Sequence, residues 1–207
     1  MSLNYRQNDL FKPDHSSWRY NACVGNNGGP YNFYAYSLGY FNAAQTLAQA
    51  AIDNRETIDL SIYPIIYNYR HGVELGLKYF ATQLPVVLDE TIAPIKATHK
   101  LLDVWNVIRP LLQKERAFDE EGTFIPQVEK ILNDIVQFDP DAEVFRFPAD
   151  RKGRFYLQDT ALINLPVISN TFESIREIFD FWYFTCGLLL EYKNEMQDAL
   201  DYDNEWF

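Results

Sequence analysis

Thr57-Ile-Asp-Leu-Ser-Ile-Tyr-Pro-Ile-Ile-Tyr-Asn-Tyr-Arg-His-Gly-Val-Glu-Leu-Gly-Leu-Lys-Tyr-Phe-Ala81 is the segment on which the fold of this chain turns. Advancing about 100° per residue from Ile62 puts Ile65, Ile66, Tyr69, Val73, Leu77 and Phe80 within about 60° of it, one apolar stripe of a helix. The opposite face should be solvated, yet it carries Leu60, Tyr63, Pro64, Tyr67, His71 and Leu75. A helix apolar on most sides is a central one, buried against several neighbours. Gly72 and Gly76, one turn apart, allow another helix close to its backbone, and packing is their expected role.

Within this helix, from about Thr57 to Ala81, the charged residues after Asp59 are Arg70, Glu74 and Lys78, spaced i, i+4 and i+8 beside His71. Ionisable groups on a buried helix must be paired or line a cleft, because an isolated buried charge is very costly. Two readings stay open. In one, the stripe is an internal salt-bridge network that fixes helix register. In the other it is a polar pocket, with an arginine for an anion and a histidine positioned by a carboxylate for proton transfer. His71 and Glu74 at i, i+3 could ligate a metal, but the rest of a metal sphere is not evident, so neither a metal nor a cofactor is expected.

Outward from this helix, Phe33, Tyr36, Tyr40, Phe41, Ala44, Leu47, Ala48 and Ala51 predict a preceding helix over about 32–53. Residues 1–30 read as irregular and end in the turn-rich Gly25-Asn-Asn-Gly-Gly-Pro30. After a linker bracketed by Pro85 and Pro94, Thr98 is the expected N-cap of a third helix through Leu101, Leu102, Trp105, Ile108 and Leu112. Pro110 should kink that helix or end its regular part. His99 falls at its N-terminus, where the helix dipole disfavours the protonated ring and Asp103 favours it. Antiparallel pairing of the second and third helices would bring His99 near His71 or Lys78. A fourth helix is expected from Pro126 to Phe138, stopped by Asp139-Pro140. The last starts at a capping-box-like Asn170 and Glu173 and carries Phe172, Ile175, Phe179, Trp182, Cys186 and Leu189 to about Ala199.

Between the last two helices, Val144 to Pro148 and Arg154 to Leu157 flank Asp150-Arg-Lys-Gly153, which predicts a small β-hairpin in a loop excursion over 141–167. Arg146, Arg151, Lys152 and Arg154 lie within nine residues opposed by Asp150 alone, in a chain of net charge −11. Such a local reversal of sign suits an anion-recognition loop, because Arg forks match phosphate oxygens. A solvated turn is the plainer alternative. The expectation is one all-α domain over 1–207, an antiparallel bundle of about five helices, closed by an acidic tail at 200–207.

The bulk numbers set the outer limits. A 207-residue chain with 47% hydrophobic and 16% aromatic residues can bury a sizeable core. Its net charge argues against a surface that coats nucleic acid, though not against a local phosphate site. The most apolar run, Ile178 to Leu190, is 13 residues long, too short to span a bilayer. The N-terminus has no apolar core of a secretory signal, its Met-Ser-Leu start has the look of a cloning remnant, and Cys23 and Cys186 make no metal or redox pattern. Reduced thiols, a cytoplasmic location and no membrane partner follow as expectations.

Three stretches together carry a resemblance. Tyr63-Pro-Ile-Ile-Tyr-Asn-Tyr-Arg-His-Gly-Val-Glu-Leu-Gly-Leu-Lys78 resembles the second helix of a group of prokaryotic HEPN-like proteins. Thr98-His-Lys-Leu-Leu-Asp-Val-Trp105 is similar to the segment that follows it there, and Phe145-Arg-Phe-Pro-Ala-Asp-Arg-Lys-Gly153 to their later aromatic-Arg-aromatic-Pro turn. The likeness runs over roughly residues 33 to 200. It implies a helical bundle, often a homodimer, of the kind found in toxin–antitoxin and antiviral systems with an antitoxin-like protein partner, and metal-independent cleavage of RNA. Ribonuclease members carry an Arg, four to six polar-rich residues and a His near the last helix. Here His15, His71 and His99 lack an Arg at that distance and the last helix has no His, so a site on Arg70 and His71 would be a rearranged one.

On that reading Arg70 holds the scissile phosphate, His71 and His99 exchange protons, and Glu74 orients a histidine. Lys78, Arg146, Arg151, Arg154 and Tyr67 bind the RNA or nucleotide. The alternative is a non-catalytic helical module that binds a ligand or protein, with the charged stripe as its internal framework.

Overall fold

A computed structural model describes residues 10–25, 28–29, 31–92 and 98–204. The Met-Ser-Leu start, Pro94 and the last three residues of the acidic tail lie outside the described residues. The chain divides into two compact units at Asn32. In the first, a short 3₁₀ turn at Trp18–Tyr20 follows Asp14, whose carboxylate accepts the Ser16 N–H and the Ser16 and Ser17 hydroxyls. Cys23 there is an exposed free thiol.

The second unit is helical: α1 Phe33–Ile52, α2 Ile58–Val87, α3 Leu101–Leu112, α4 Phe124–Phe138 and α5 Leu165–Asn204. No helix among the described residues is long and apolar enough to cross a membrane. As the stripe of Ile62 predicts, α2 is the hub, packed on α1, α3 and α5. Its far face is less buried than expected at the start: Leu60, Tyr63 and Pro64 are exposed and Tyr67 is half-buried, while from Gly72 to Leu77 every residue is buried.

The two glycines of α2 explain how its neighbours fit. A Cβ at Gly72 would stand 3.0 Å from a ring carbon of Phe41 on α1, and one at Gly76 would stand 2.5 Å from two ring carbons of Phe179 on α5. The Ser37 hydroxyl donates to the Gly72 carbonyl at 2.7 Å across the same close approach. Packing is thus their role.

Helix directions depart from a wholly antiparallel bundle. α1 and α2 form an antiparallel hairpin, with Tyr34 beside Tyr79 at one end and Phe41 beside Tyr69 further along. α2 and α5, however, run the same way. Tyr69 stacks on Phe172, Phe80 meets Phe179 and Trp182, and Lys193 donates to the Val86 carbonyl. The long connection through α3 and α4 makes that parallel pairing possible.

Several helix ends differ from expectation for identifiable reasons. α2 continues through Pro85 to Val87, because Leu84 and Val87 extend its buried stripe. α4 begins at Phe124, where the Asp119 carboxylate takes the Thr123, Phe124 and Ile125 N–H groups. Asn164, not Asn170, starts α5 by accepting the Val167 N–H at 3.1 Å; Glu173 lies two turns inside and binds the Tyr69 hydroxyl. Thr98 stands ahead of α3 rather than at its cap; it takes the Lys100 N–H and donates to Asp103. Pro110 falls in the last turn of α3, which runs on to Leu112.

The expected β-hairpin reduces to a turn. Among the described residues its strands are absent, and one antiparallel bridge joins Ala149 to Phe155 around Gly153 at φ +79°. The Asp139 carboxylate accepts the Glu143 and Val144 N–H groups, and Arg146 and Phe147 bond back to the Glu143 carbonyl, so 143–147 coils instead of extending.

Candidate functional site

The i, i+4, i+8 spacing on α2 brings Arg70, Glu74 and Lys78 together, and α3 and the end of α4 complete the group. Arg70 Nη1 lies 3.5 Å from Glu74 Oε2, and Arg70 Nε lies 3.3 Å from Asp139 Oδ2 without the alignment of a hydrogen bond. Arg70 Nη2 donates to the His99 carbonyl at 3.3 Å and more distantly to the Asp139 carbonyl. Arg70 and Glu74 are each 2% exposed and Asp139 is 3% exposed. Two buried carboxylates therefore face the Arg70 and Lys78 cations, and the charges cancel, which is the condition for keeping such a group inside.

One edge of this network opens to solvent. Glu74 Oε1 takes Lys78 Nζ at 2.7 Å and His99 Nδ1 at 2.8 Å. The Lys78 side chain is half-buried, whereas that of His99 is 76% exposed. Burial pushes the Glu74 carboxyl up, but the hydrogen bonds from Lys78 and His99 outweigh it and hold it below the ordinary glutamate value. With Nδ1 on the carboxylate, Nε2 is the remaining ring nitrogen of a side chain that is largely exposed.

His71 has aromatic neighbours instead of ionic ones. Its ring is half-buried, edge-on to Tyr40 at 4.4 Å between centroids and stacked on Tyr67 at 5.8 Å. Burial lowers its pKa; the Glu74 carboxylate works against that, while Lys78, Arg70 and the nearby His99 ring add to it. Beyond Tyr67 lies Arg146, exposed, with its guanidinium 5.7 Å from the Tyr67 ring centre and 5.1 Å from that of Phe147. A seam of cationic and aromatic groups thus runs from Arg146 over Tyr67 and His71 toward Lys78 and His99.

The basic turn contributes less than its composition suggests. Arg154 is paired with Asp150 through Nη2 at 2.6 Å and Nε at 2.7 Å, and Arg151 is exposed on the turn. Two members of the site escape sequence reasoning. Asp139 reads only as a helix stop before Pro140, and Tyr40 as one more apolar position of α1. Among the described residues no group of three or more His, Cys, Asp and Glu is placed to hold a metal ion.

The downward shifts of Glu74 and His71 make a prediction about pH. Below about pH 6.5, an unfolded histidine binds a proton that folded His71 resists, and below about 4.5 the same holds for Glu74. The unfolded state then holds more protons, so stability falls with acidification. Urea midpoints should drop between pH 7.5 and 5.5 and drop less in His71→Asn. An equal fall in that variant would remove His71 as the cause.

No protein-family model matches the sequence, and no curated protein or solved structure matches it.

Proposed function

We propose that this chain is a HEPN-like protein that binds RNA or a nucleotide along the seam from Arg146 to His99, and that it cleaves RNA there without a metal. The observation that carries this reading is the Glu74 carboxylate, itself buried, holding the exposed imidazole of His99 at 2.8 Å. A carboxylate-oriented histidine at the edge of a core is an arrangement suited to proton transfer. Arg70 drops out as a phosphate ligand, because two carboxylates and two carbonyls already occupy it. Its place is taken by Lys78 and Arg146.

The chemistry follows from the two histidines. His71, kept neutral by burial, takes the proton of a ribose 2′-OH as its oxygen attacks phosphorus. The bond from phosphorus to the 5′-oxygen breaks, and that oxygen takes a proton from His99 Nε2. The products are a 2′,3′-cyclic phosphate and a free 5′-OH. Lys78 offsets the charge on the non-bridging oxygens.

Incubation of the purified protein with mixed RNA in EDTA tests this. Fragments ending in cyclic phosphate are expected, with about a hundred-fold or greater loss of rate in His99→Gln and His71→Asn, the range of a lost general acid or base. Intact RNA, or cleavage unaffected by either replacement, would remove the catalytic assignment.

A second reading is favoured by the closure of Arg70, Glu74 and Asp139 away from solvent. There the charges are purely architectural and the protein is a non-catalytic binding module. RNA bound but never cut, with the seam variants binding more weakly, is its signature.

A further inference from the structure

Beside the seam, a groove of about 460 Å³ lies between the first turns of α2 and the coil around residues 144–157. Tyr63, Phe147 and Phe155 line it and are 44%, 47% and 67% exposed. What sets them apart from the chain's other exposed aromatics is that all three line one hollow beside a cation. Arg146 forms part of the same wall. Among the described residues no carboxylate forms an ion pair with it, and it is held by rings instead. Nearby Arg154 is neutralised by Asp150, so Arg146 is the cation the groove offers. Tyr156 presents no free hydroxyl, since it donates to Glu143 at 2.8 Å.

We propose that this groove is a nucleobase subsite: it takes one base between the Tyr63, Phe147 and Phe155 rings while Arg146 holds the attached phosphate. The assignment rests on the RNA or nucleotide reading and extends it to the way substrate is selected. The volume is in the range of small-molecule pockets. Rings and a cation together match a planar base joined to an anion, whereas a simple phosphate ligand has no use for the rings. The walls named here hold a base by its faces. Selection by stacking alone favours the larger ring system, so purine nucleotides bind better than pyrimidine ones.

The test is displacement of a fluorescent single-stranded RNA from the full chain by AMP, UMP and ribose 5-phosphate. AMP should compete best and ribose 5-phosphate least. Phe155→Ala and Tyr63→Ala, both at exposed positions, should weaken AMP about ten-fold with unchanged melting curves. Arg146→Gln should narrow the preference for AMP over adenosine. If the unaltered protein binds RNA but AMP does not compete, or ribose 5-phosphate competes equally well, the groove is not a base site and the seam reading stands alone. If neither RNA nor AMP binds, both readings fall.

Discussion

Arg70→Ala is expected to lower the free energy of unfolding by about 3–5 kcal/mol, the cost of stripping one partner from a buried ion pair. The loss is large because of what remains. Glu74 would keep Lys78 and His99, but Asp139 would stay buried with only backbone N–H donors from Glu143 and Val144. The His99 carbonyl would lose a donor as well. Against a total stability of about 5–15 kcal/mol, this change places the protein near its limit. Arg70→Lys should recover little, since one ammonium cannot reach in the planar fork that meets Glu74, Asp139 and two carbonyls. Urea denaturation of the three proteins decides it. A loss below about 1 kcal/mol, typical of a solvated pair, would mean that water reaches the group.

Trp182→Ala is expected to cost about 3–5 kcal/mol, for a different reason. Trp182 is fully buried at the meeting of α2, α3 and α5, with Phe80, Phe179 and Trp105 between 5.6 and 6.3 Å from it. Its indole N–H donates to the Phe118 carbonyl at 2.8 Å, tying the 3₁₀ turn Arg116–Phe118 to α5. Truncation empties the centre of the core and orphans that carbonyl. Trp182→Phe keeps most of the apolar contact and loses the hydrogen bond, so a smaller deficit of about 1–3 kcal/mol should separate the two contributions. Equal unfolding midpoints for the alanine variant and the unaltered chain would show that this centre is loosely packed.

What the sequence discloses about this fold is periodicity, and periodicity is blind to direction. The stripes of Ile62 to Phe80 and Phe172 to Cys186 mark two helices and their buried faces; that of Phe33 to Ala51 marks a third helix but misplaces the start of its face, because Phe33 and Tyr36 are exposed and Tyr34 and Ser37 are buried instead. Nothing in them tells that α5 runs parallel to α2, because that depends on the path taken through α3 and α4. Ends are lost where a side chain several residues away caps the helix, as Asp119 does for α4. The hairpin fails for a related reason. Alternation of Phe145, Arg146 and Phe147 reads as a strand, while Asp139 upstream draws those amides into a coil. In the site, one helical register was enough to group Arg70, Glu74 and Lys78. It could not reveal that Asp139 would close the group, since their meeting spans 69 positions of chain. Nor could it reveal that His99 would join Glu74 while His71 packs against Tyr40 and Tyr67.

The notches at Gly72 and Gly76 have a mechanical consequence. Each receives an aromatic ring from a different helix, Phe41 from one side and Phe179 from the other. A rod keyed at two points can neither slip lengthwise nor spin, because a turn either way would drive a neighbouring side chain into a ring. The hub is thus a fixed anvil, against which the coil bearing Arg146 and the segment bearing His99 are set.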